Sequence, residues 1–311
     1  MTSPVTFAVQ DLDARILEEL RLDGRIGRNE LAAKLEVSRP TVSKRLNAML
    51  ESGRVRVVGI VHPSTIGLDA LGHVAIAVDQ PVRQVAARIA ALHDVPYVSL
   101  TSGGYPLIAE IRTAGAARLA SSLERIRSID GVRETNTLVY SDLIVDIGRP
   151  DKVPATRLDH LDVRLLGVLQ DDGRASYTEL AEATGTSPGT ARLRVKRLID
   201  DGVLRIGALV GAGQHESGVA VGFGIRATGR MSDLSSTIAE IPGVRFLAST
   251  IGRFDLLGTV HATRLEDVVA SLDTVRALRS VLDVDSWVHL HTVKERYNNV
   301  PALSTIREEQ S

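Results

Sequence analysis

Apolar residues recur at helical spacing in three short runs near the start of the chain, residues 11–22, 27–35 and 39–51, then switch to strand-like alternation over 54–61. The same succession returns at 160–171, 176–184, 188–201 and 203–210. Ser38 and Ser187 stand just ahead of the third helical run of each set, where a hydroxyl can cap free backbone N–H groups. Pro188 takes a first helical position, where its missing N–H costs nothing, and Gly53 and Gly202 follow as C-terminal stops. Beyond each set the pattern reads strand, helix, strand, strand, helix, strand. It falls at 70–79, 82–93, 95–102, 105–113, 115–129 and 132–145, and again at 219–227, 232–241, 244–251, 254–260, 265–277 and 284–293.

The chain is therefore written twice. A shift of 149 positions lays Leu12-Asp13-x-Arg15-x-Leu17 on Leu161-Asp162-x-Arg164-x-Leu166 and Asp23-Gly24-Arg25 on Asp172-Gly173-Arg174. It also lays Glu30-Leu31-Ala32 on Glu179-Leu180-Ala181, Ser38 on Ser187, Thr41 on Thr190, Arg45 on Arg194 and Gly53 on Gly202. About a third of the aligned positions between 12 and 58 are identical, which duplication explains most simply. The fold class is α+β: a winged helix-turn-helix followed by a ferredoxin-like βαββαβ domain, the pair repeated. The expected boundaries are 1–62 and 63–148 for the first copy, a polar linker at 149–157, 158–211 and 212–297 for the second, and a polar tail at 298–311. Helices would cover one face of each sheet, and a symmetric sheet-on-sheet pairing would cover the other, within one chain or between chains.

At 311 residues the chain has room for two or more domains. With no cysteine it has neither disulfides nor thiolate chemistry. No uninterrupted apolar stretch is long enough for a membrane span, and residues 1–10 do not read as a secretory signal, so a cytoplasmic protein is expected. A formal net charge of -1 argues against coating nucleic acid by bulk electrostatics and turns attention to local patches. Residues 39–58 carry five basic residues against one acidic, and 188–207 carry five against two.

Those patches fall on the second helix of each helix-turn-helix, the one that enters a major groove in such motifs. Helical spacing turns Val42, Leu46, Met49 and Leu50 inward in copy one, and Ala191, Val195, Leu198 and Ile199 in copy two. The outward face is then Arg39, Pro40, Ser43, Lys44 and Asn47 in the first, and Pro188, Gly189, Arg192, Leu193 and Lys196 in the second. Thr41 and Thr190 join the DNA-contact candidates, with Arg45, Arg194 and Arg197 as phosphate candidates. A helical bundle with a solvated basic face is the plainer alternative.

On these residues the chain resembles the Lrp/AsnC family of feast/famine transcriptional regulators. The carriers are Leu12-Asp13-x-x-Ile16-Leu17, Asp23-Gly24-Arg25, Glu30-Leu31-Ala32, Ser38-x-x-Thr41-Val42-x-x-Arg45-Leu46 and Gly53-x-Val55, most of them kept in copy two. The resemblance implies double-stranded promoter DNA as partner, a small-molecule effector such as an amino acid, and self-association as a dimer or larger homo-oligomer. It also implies an effector site near a Gly-x-x-Asp turn between the second and third strands of the sheet domain. Copy two has that turn, so Thr250, Gly252, Phe254 and Asp255 are its candidates. In copy one Gly103 and Gly104 occupy the turn but Pro106 replaces the aspartate, so unequal pockets are expected. Turn-forming roles for the same residues are the alternative.

Catalytic groups, cofactors and metals are not indicated. His289 and His291 alternate on a strand and would face one side, without a third ligand in view; His73 and His261 look isolated, and Trp287 reads as packing. Siroheme decarboxylases resemble the same architecture and supply the enzyme alternative, for which the expected His, Tyr and Arg cluster is not visible. A ligand-sensing oligomer with degenerate DNA-binding modules is a third reading.

Overall fold

The duplicated pattern becomes two sets of three helices and two β-α-β-β-α-β runs in the computed structural model, which describes residues 4–146, 157–210 and 218–297. The linker at 149–156 and the tail at 298–311 lie outside the described residues. The chain divides into two compact units, one built from the helical sets and the other from the two sheet runs.

In the helical unit the first copy supplies α1 (Pro4–Leu22), α2 (Arg28–Leu35), α3 (Arg39–Glu51) and β1 (Val55–Val61). The Ser38 hydroxyl accepts the Thr41 N–H at 3.3 Å to start α3, and Gly53 follows its end at a φ of 68°. In the second copy come α6 (His160–Asp171), α7 (Tyr177–Thr184), α8 (Pro188–Asp200) and β6 (Leu204–Val210). Ser187 caps α8 in the same way, and a reciprocal Ser176–Glu179 capping box starts α7.

The strand that follows the helices of each winged helix-turn-helix finds its partner in the other copy: β1 and β6 pair antiparallel over their whole length, from Val55 opposite Val210 to Val61 opposite Leu204. Each set of helices thus leaves one strand unpaired, and the two satisfy each other's backbone groups in a shared ribbon. Gly24 and Gly173 dock at this ribbon. Gly24 N–H donates to Ile206 O and Gly173 N–H to Val57 O, both at 2.9 Å. A Cβ on Gly173 would come within 2.8 Å of the Val58 backbone, so the Asp-Gly-Arg motif holds the seam between the copies.

The sheet unit contains β2 (Ala70–Val78), α4 (Val82–Ala90), β3 (Tyr97–Thr101), β4 (Leu107–Thr113), α5 (Gly115–Arg127) and β5 (Val132–Val145) from copy one. Copy two adds β7 (Val219–Ala227), α9 (Met231–Ala239), β8 (Val244–Ile251), β9 (Leu256–Ala262), α10 (Leu265–Arg276) and β10 (Val281–Glu295). The eight strands close into one antiparallel barrel in the order β10-β3-β4-β2-β5-β8-β9-β7. The two long final strands make the closure: β5 pairs first with β2 and then with β8, and β10 first with β7 and then with β3. The sheets therefore pair within one chain.

Alternation along each strand sends one set of side chains outward to the helices and the other into the barrel. Val74, Ile76, Leu107 and Ile111 meet Val85, Ile89, Leu119 and Ile126 in copy one; Phe223, Ile225 and Leu256 meet Leu234, Ile238 and Leu272 in copy two. Inside the barrel Leu71, Leu138, Tyr140, Ala248, Phe254 and Leu257 form a third cluster. The buried Arg112 guanidinium is satisfied there by Glu110 and Asp146.

Candidate nucleic-acid interface and effector site

In α3, Val42, Leu46 and Met49 are buried, and in α8 Ala191, Val195 and Leu198 are. Leu50 is only half-buried and Ile199 is exposed, because the last turn of each helix runs past the core that covers the rest. Arg39, Pro40, Thr41 and Lys44 are exposed, with Ser43 and Asn47 half-buried beside them. The Asn47 side-chain oxygen accepts from Arg28 Nη2 at 3.0 Å, which adds a third cation beside Arg39 and Lys44. In α8, Pro188, Gly189, Arg192, Leu193 and Lys196 are exposed and Thr190 is half-buried. Leu193, at 71% relative exposure, stands where Lys44 stands in copy one.

The three phosphate candidates turn the other way. Arg45 holds Asp13 through both carboxylate oxygens, and Arg54 joins the same carboxylate at 3.1 Å. In copy two Arg194 reaches Asp162 at 3.2 Å and also pairs with Asp159, while Arg197 reaches Asp162 at 2.6 Å. Asp13 is 2% exposed and Asp162 0%, so each is a buried carboxylate clamped by two arginines, from the third helix of its module and, for Arg54, from the turn that follows it. The hydrogen bond that Arg45 donates to Asp13 also raises the Arg45 pKa. In the sequence Asp13 and Asp162 read only as repeat markers; the signal for their role is the same spacing to Arg45 and Arg194 in both copies.

The two sheet-domain turns are built alike. Thr101 Oγ1 donates to Tyr105 O and Thr250 Oγ1 to Phe254 O, both at 2.7 Å. Gly103 has a φ of 93°, Gly252 one of 148°, and a Cβ on Gly252 would lie 2.6 Å from a Leu138 methyl. Gly104 has open space where a Cβ would be. Asp255 Oδ2 accepts the Ala227 N–H at 2.8 Å, a tie to the end of β7 that Pro106 cannot make in copy one.

The histidines are arranged differently from the expectation. A register shift in β10 separates His289 from His291, and His289 Nδ1 meets Ser99 Oγ at 3.0 Å and Tyr97 Oη at 3.2 Å. His73 is not isolated: its ring lies 6.0 Å from that of Trp287. Burial, with the charges of His289 and Arg253 adding to it, lowers the His73 pKa to about 3. Burial lowers that of His289 to about 4. Among the described residues no group of three or more His, Cys, Asp or Glu could hold a metal ion, and no helix is long and apolar enough to cross a membrane.

Comparison with known proteins matches both halves. The winged helix-turn-helix DNA-binding family model matches residues 10–56 and 158–205, and the Lrp/AsnC ligand binding domain model matches 73–148. Together they cover more than half of the chain. The transcriptional regulator FL11 of Pyrococcus furiosus is 27% identical over 133 residues, 42% of this chain and 88% of its own length. The regulator LysM of Sulfurisphaera tokodaii is likewise 27% identical over 133 residues, 43% of this chain and 95% of its own. Each such relative spans about one copy. The crystal structure of the siroheme decarboxylase NirDL covers 96% of this chain and 99% of its own with a TM-score of 0.59; at 17% identity that likeness is one of fold. The chain belongs to the Lrp/AsnC family, in a tandem form that carries two winged helix-turn-helix modules and two ferredoxin-like domains in one polypeptide.

Proposed function

We propose that this chain is a sequence-specific transcriptional regulator in which α3 and α8 enter successive major grooves and the sheet unit takes a small-molecule effector, an amino acid or a related compound. One observation carries the reading: two exposed helices of helix-turn-helix type are joined through the β1–β6 ribbon of a single unit, as two protomers of a dimer would be. Arg39, Thr41, Ser43, Lys44 and Asn47 would contact one half-site, and Thr190, Arg192 and Lys196 the other. Arg45, Arg194 and Arg197 enter as groups that hold those helices in place and lend any spare N–H to phosphate. All five outward positions differ between the copies, so the two half-sites should differ as well. In the effector reading, the turns with Gly103 and Gly104, and with Thr250, Gly252, Phe254 and Asp255, frame the sensing region. A regulator bound to promoters works in the cytoplasm, alone or as a larger homo-oligomer.

The test is DNA affinity against salt concentration for the purified chain and for Arg39→Ala with Lys44→Ala. Specific DNA should bind the wild type with a steep salt dependence, and the double variant should bind more weakly with a slope shallower by about two phosphate contacts. Equal affinity and slope for both proteins would remove α3 from the interface. Tetrapyrrole absorbance in the purified chain, without DNA affinity, would turn the reading to an enzyme.

A further inference from the structure

We propose that Arg253, Tyr105, Phe254, Trp287 and His73 form one composite site per chain for an aromatic carboxylate that carries no ammonium group. The proposal rests on the reading of the sheet unit as the effector-binding part and narrows the effector's chemistry.

The residues come from both copies and form a continuous set. The Arg253 guanidinium lies 4.4 Å from the Phe254 ring centroid and 5.4 Å from that of Tyr105. The Phe254 and Trp287 rings are stacked, 21° from parallel with centroids 6.4 Å apart, and Trp287 then meets His73. Arg253 is exposed and makes no ion pair with a carboxylate among the described residues. A guanidinium resting on aromatic faces keeps its in-plane N–H groups for a planar anion, which it can hold with two parallel hydrogen bonds.

Two further polar atoms are unsatisfied. His73 Nδ1 and Trp287 Nε1 are buried without a hydrogen-bond partner, and His73 as a whole is 7% exposed. Buried polar atoms of this kind are uncommon and costly in a folded protein, and the Trp287 N–H can only donate. The set therefore combines one cation and an unused donor with aromatic surface, which suits a carboxylate with an aryl body.

Most of the neighbouring carboxylates already accept a hydrogen bond or hold an ion pair. Glu134 accepts from the Tyr105 hydroxyl at 2.9 Å, Asp255 accepts from Ala227, and Glu110 and Asp146 are held by Arg112. Asp285, two residues before Trp287 on β10, is exposed to solvent. An ammonium group placed beside Arg253 would meet like charge.

Duplication explains why there is one site rather than two. At the positions related by the 149-residue shift, Gly104 stands for Arg253, Gly222 for His73, Leu138 for Trp287 and Tyr140 for His289. Leu138 and Tyr140 belong to the apolar cluster inside the barrel, so the equivalent place has been closed. The Trp287 indole fills the space that Gly222 leaves, since a Cβ there would sit 2.3 Å from Nε1.

Trp287 is the only tryptophan, so intrinsic fluorescence reads the site directly. The full chain is titrated with 3-phenylpropionate, L-phenylalanine and phenethylamine, which differ only in the carboxylate and ammonium groups. Saturable change in Trp287 emission is expected with 3-phenylpropionate within about 5 mM, with at least about tenfold weaker binding of the other two. Arg253→Gln, at an exposed side chain, should lose at least about tenfold in affinity while retaining the wild-type circular dichroism and melting temperature. No saturable response, equal binding of L-phenylalanine, or unchanged affinity in a folded Arg253→Gln overturns the proposal. DNA affinity measured on the same samples separates the two readings: DNA binding without a carboxylate response sinks only the site, and the converse sinks only the regulator.

Discussion

Arg25 and Arg174 reach across the seam between the two helical modules in opposite directions. Arg25 donates to Gly173 O and Ala175 O at 2.8 and 2.7 Å, and Arg174 to Gly24 O at 2.7 Å. Each caps backbone carbonyls of the other copy's Asp-Gly-Arg turn, and Arg25 also lies 5.2 Å from the Tyr177 ring centroid. Charged hydrogen bonds of this kind are worth about 1.5–3 kcal/mol, so Arg25→Ala should cost roughly 2 kcal/mol in urea unfolding of the helical unit. The double variant with Arg174→Ala should fall short of the sum, because both hold one seam. Strict additivity would show that the two turns act independently.

The Asp13 and Asp162 clamps make a second expectation. Asp13→Asn leaves Arg45 and Arg54 without their shared anion. Breaking a buried pair costs about 3–5 kcal/mol, and the part-exposed guanidiniums bring this nearer to 2–3 kcal/mol. Asp162→Asn should behave alike in copy two. Thermal melting reads the loss, and DNA affinity should fall with it even though neither aspartate faces the outward side of α3 or α8.

Acid should destabilise the sheet unit through His73 and His289. Their folded pKa values, about 3 and about 4, lie below the ordinary value of 6.5, so the unfolded chain binds more protons between those limits. Their contribution is full above pH 6.5 and is lost as pH falls through this window, by about 1.4 kcal/mol per pH unit for each group. Unfolding of wild type and His73→Phe, compared from pH 7 to 4, should give a shallower acid slope for the variant. Parallel slopes would contradict the buried, neutral imidazole.

Gly222→Ala tests the closure of the barrel. Its methyl would overlap the Trp287 ring, so destabilisation of about 1–3 kcal/mol is expected, with a shift in Trp287 fluorescence. Gly104→Ala, in open space, should change neither stability nor emission appreciably.

Local chemistry made much of this architecture legible in the sequence. Ser38 and Ser187 as caps, Gly53 and Gly202 as stops, and the β-α-β-β-α-β order all follow from spacing within a few residues. Pairings between the copies left no such trace. β1 reads as a wing strand until it meets β6, and the second halves of β5 and β10 show the same alternation as the first halves while pairing with another copy's strands. Arg45 looks like a phosphate ligand because its partner Asp13 lies two helices earlier, 32 residues away in sequence, and His73 looks isolated because Trp287 and His289 come from the other end of the chain.

One chain should read DNA as two unequal halves. Selection of binding sites from random duplex DNA by the purified full chain, at roughly physiological salt, tests it most directly. A single enriched motif with two dissimilar half-sites about one helical turn apart is expected. A perfectly palindromic motif, or no enriched sequence at any salt concentration with or without effector, would contradict it.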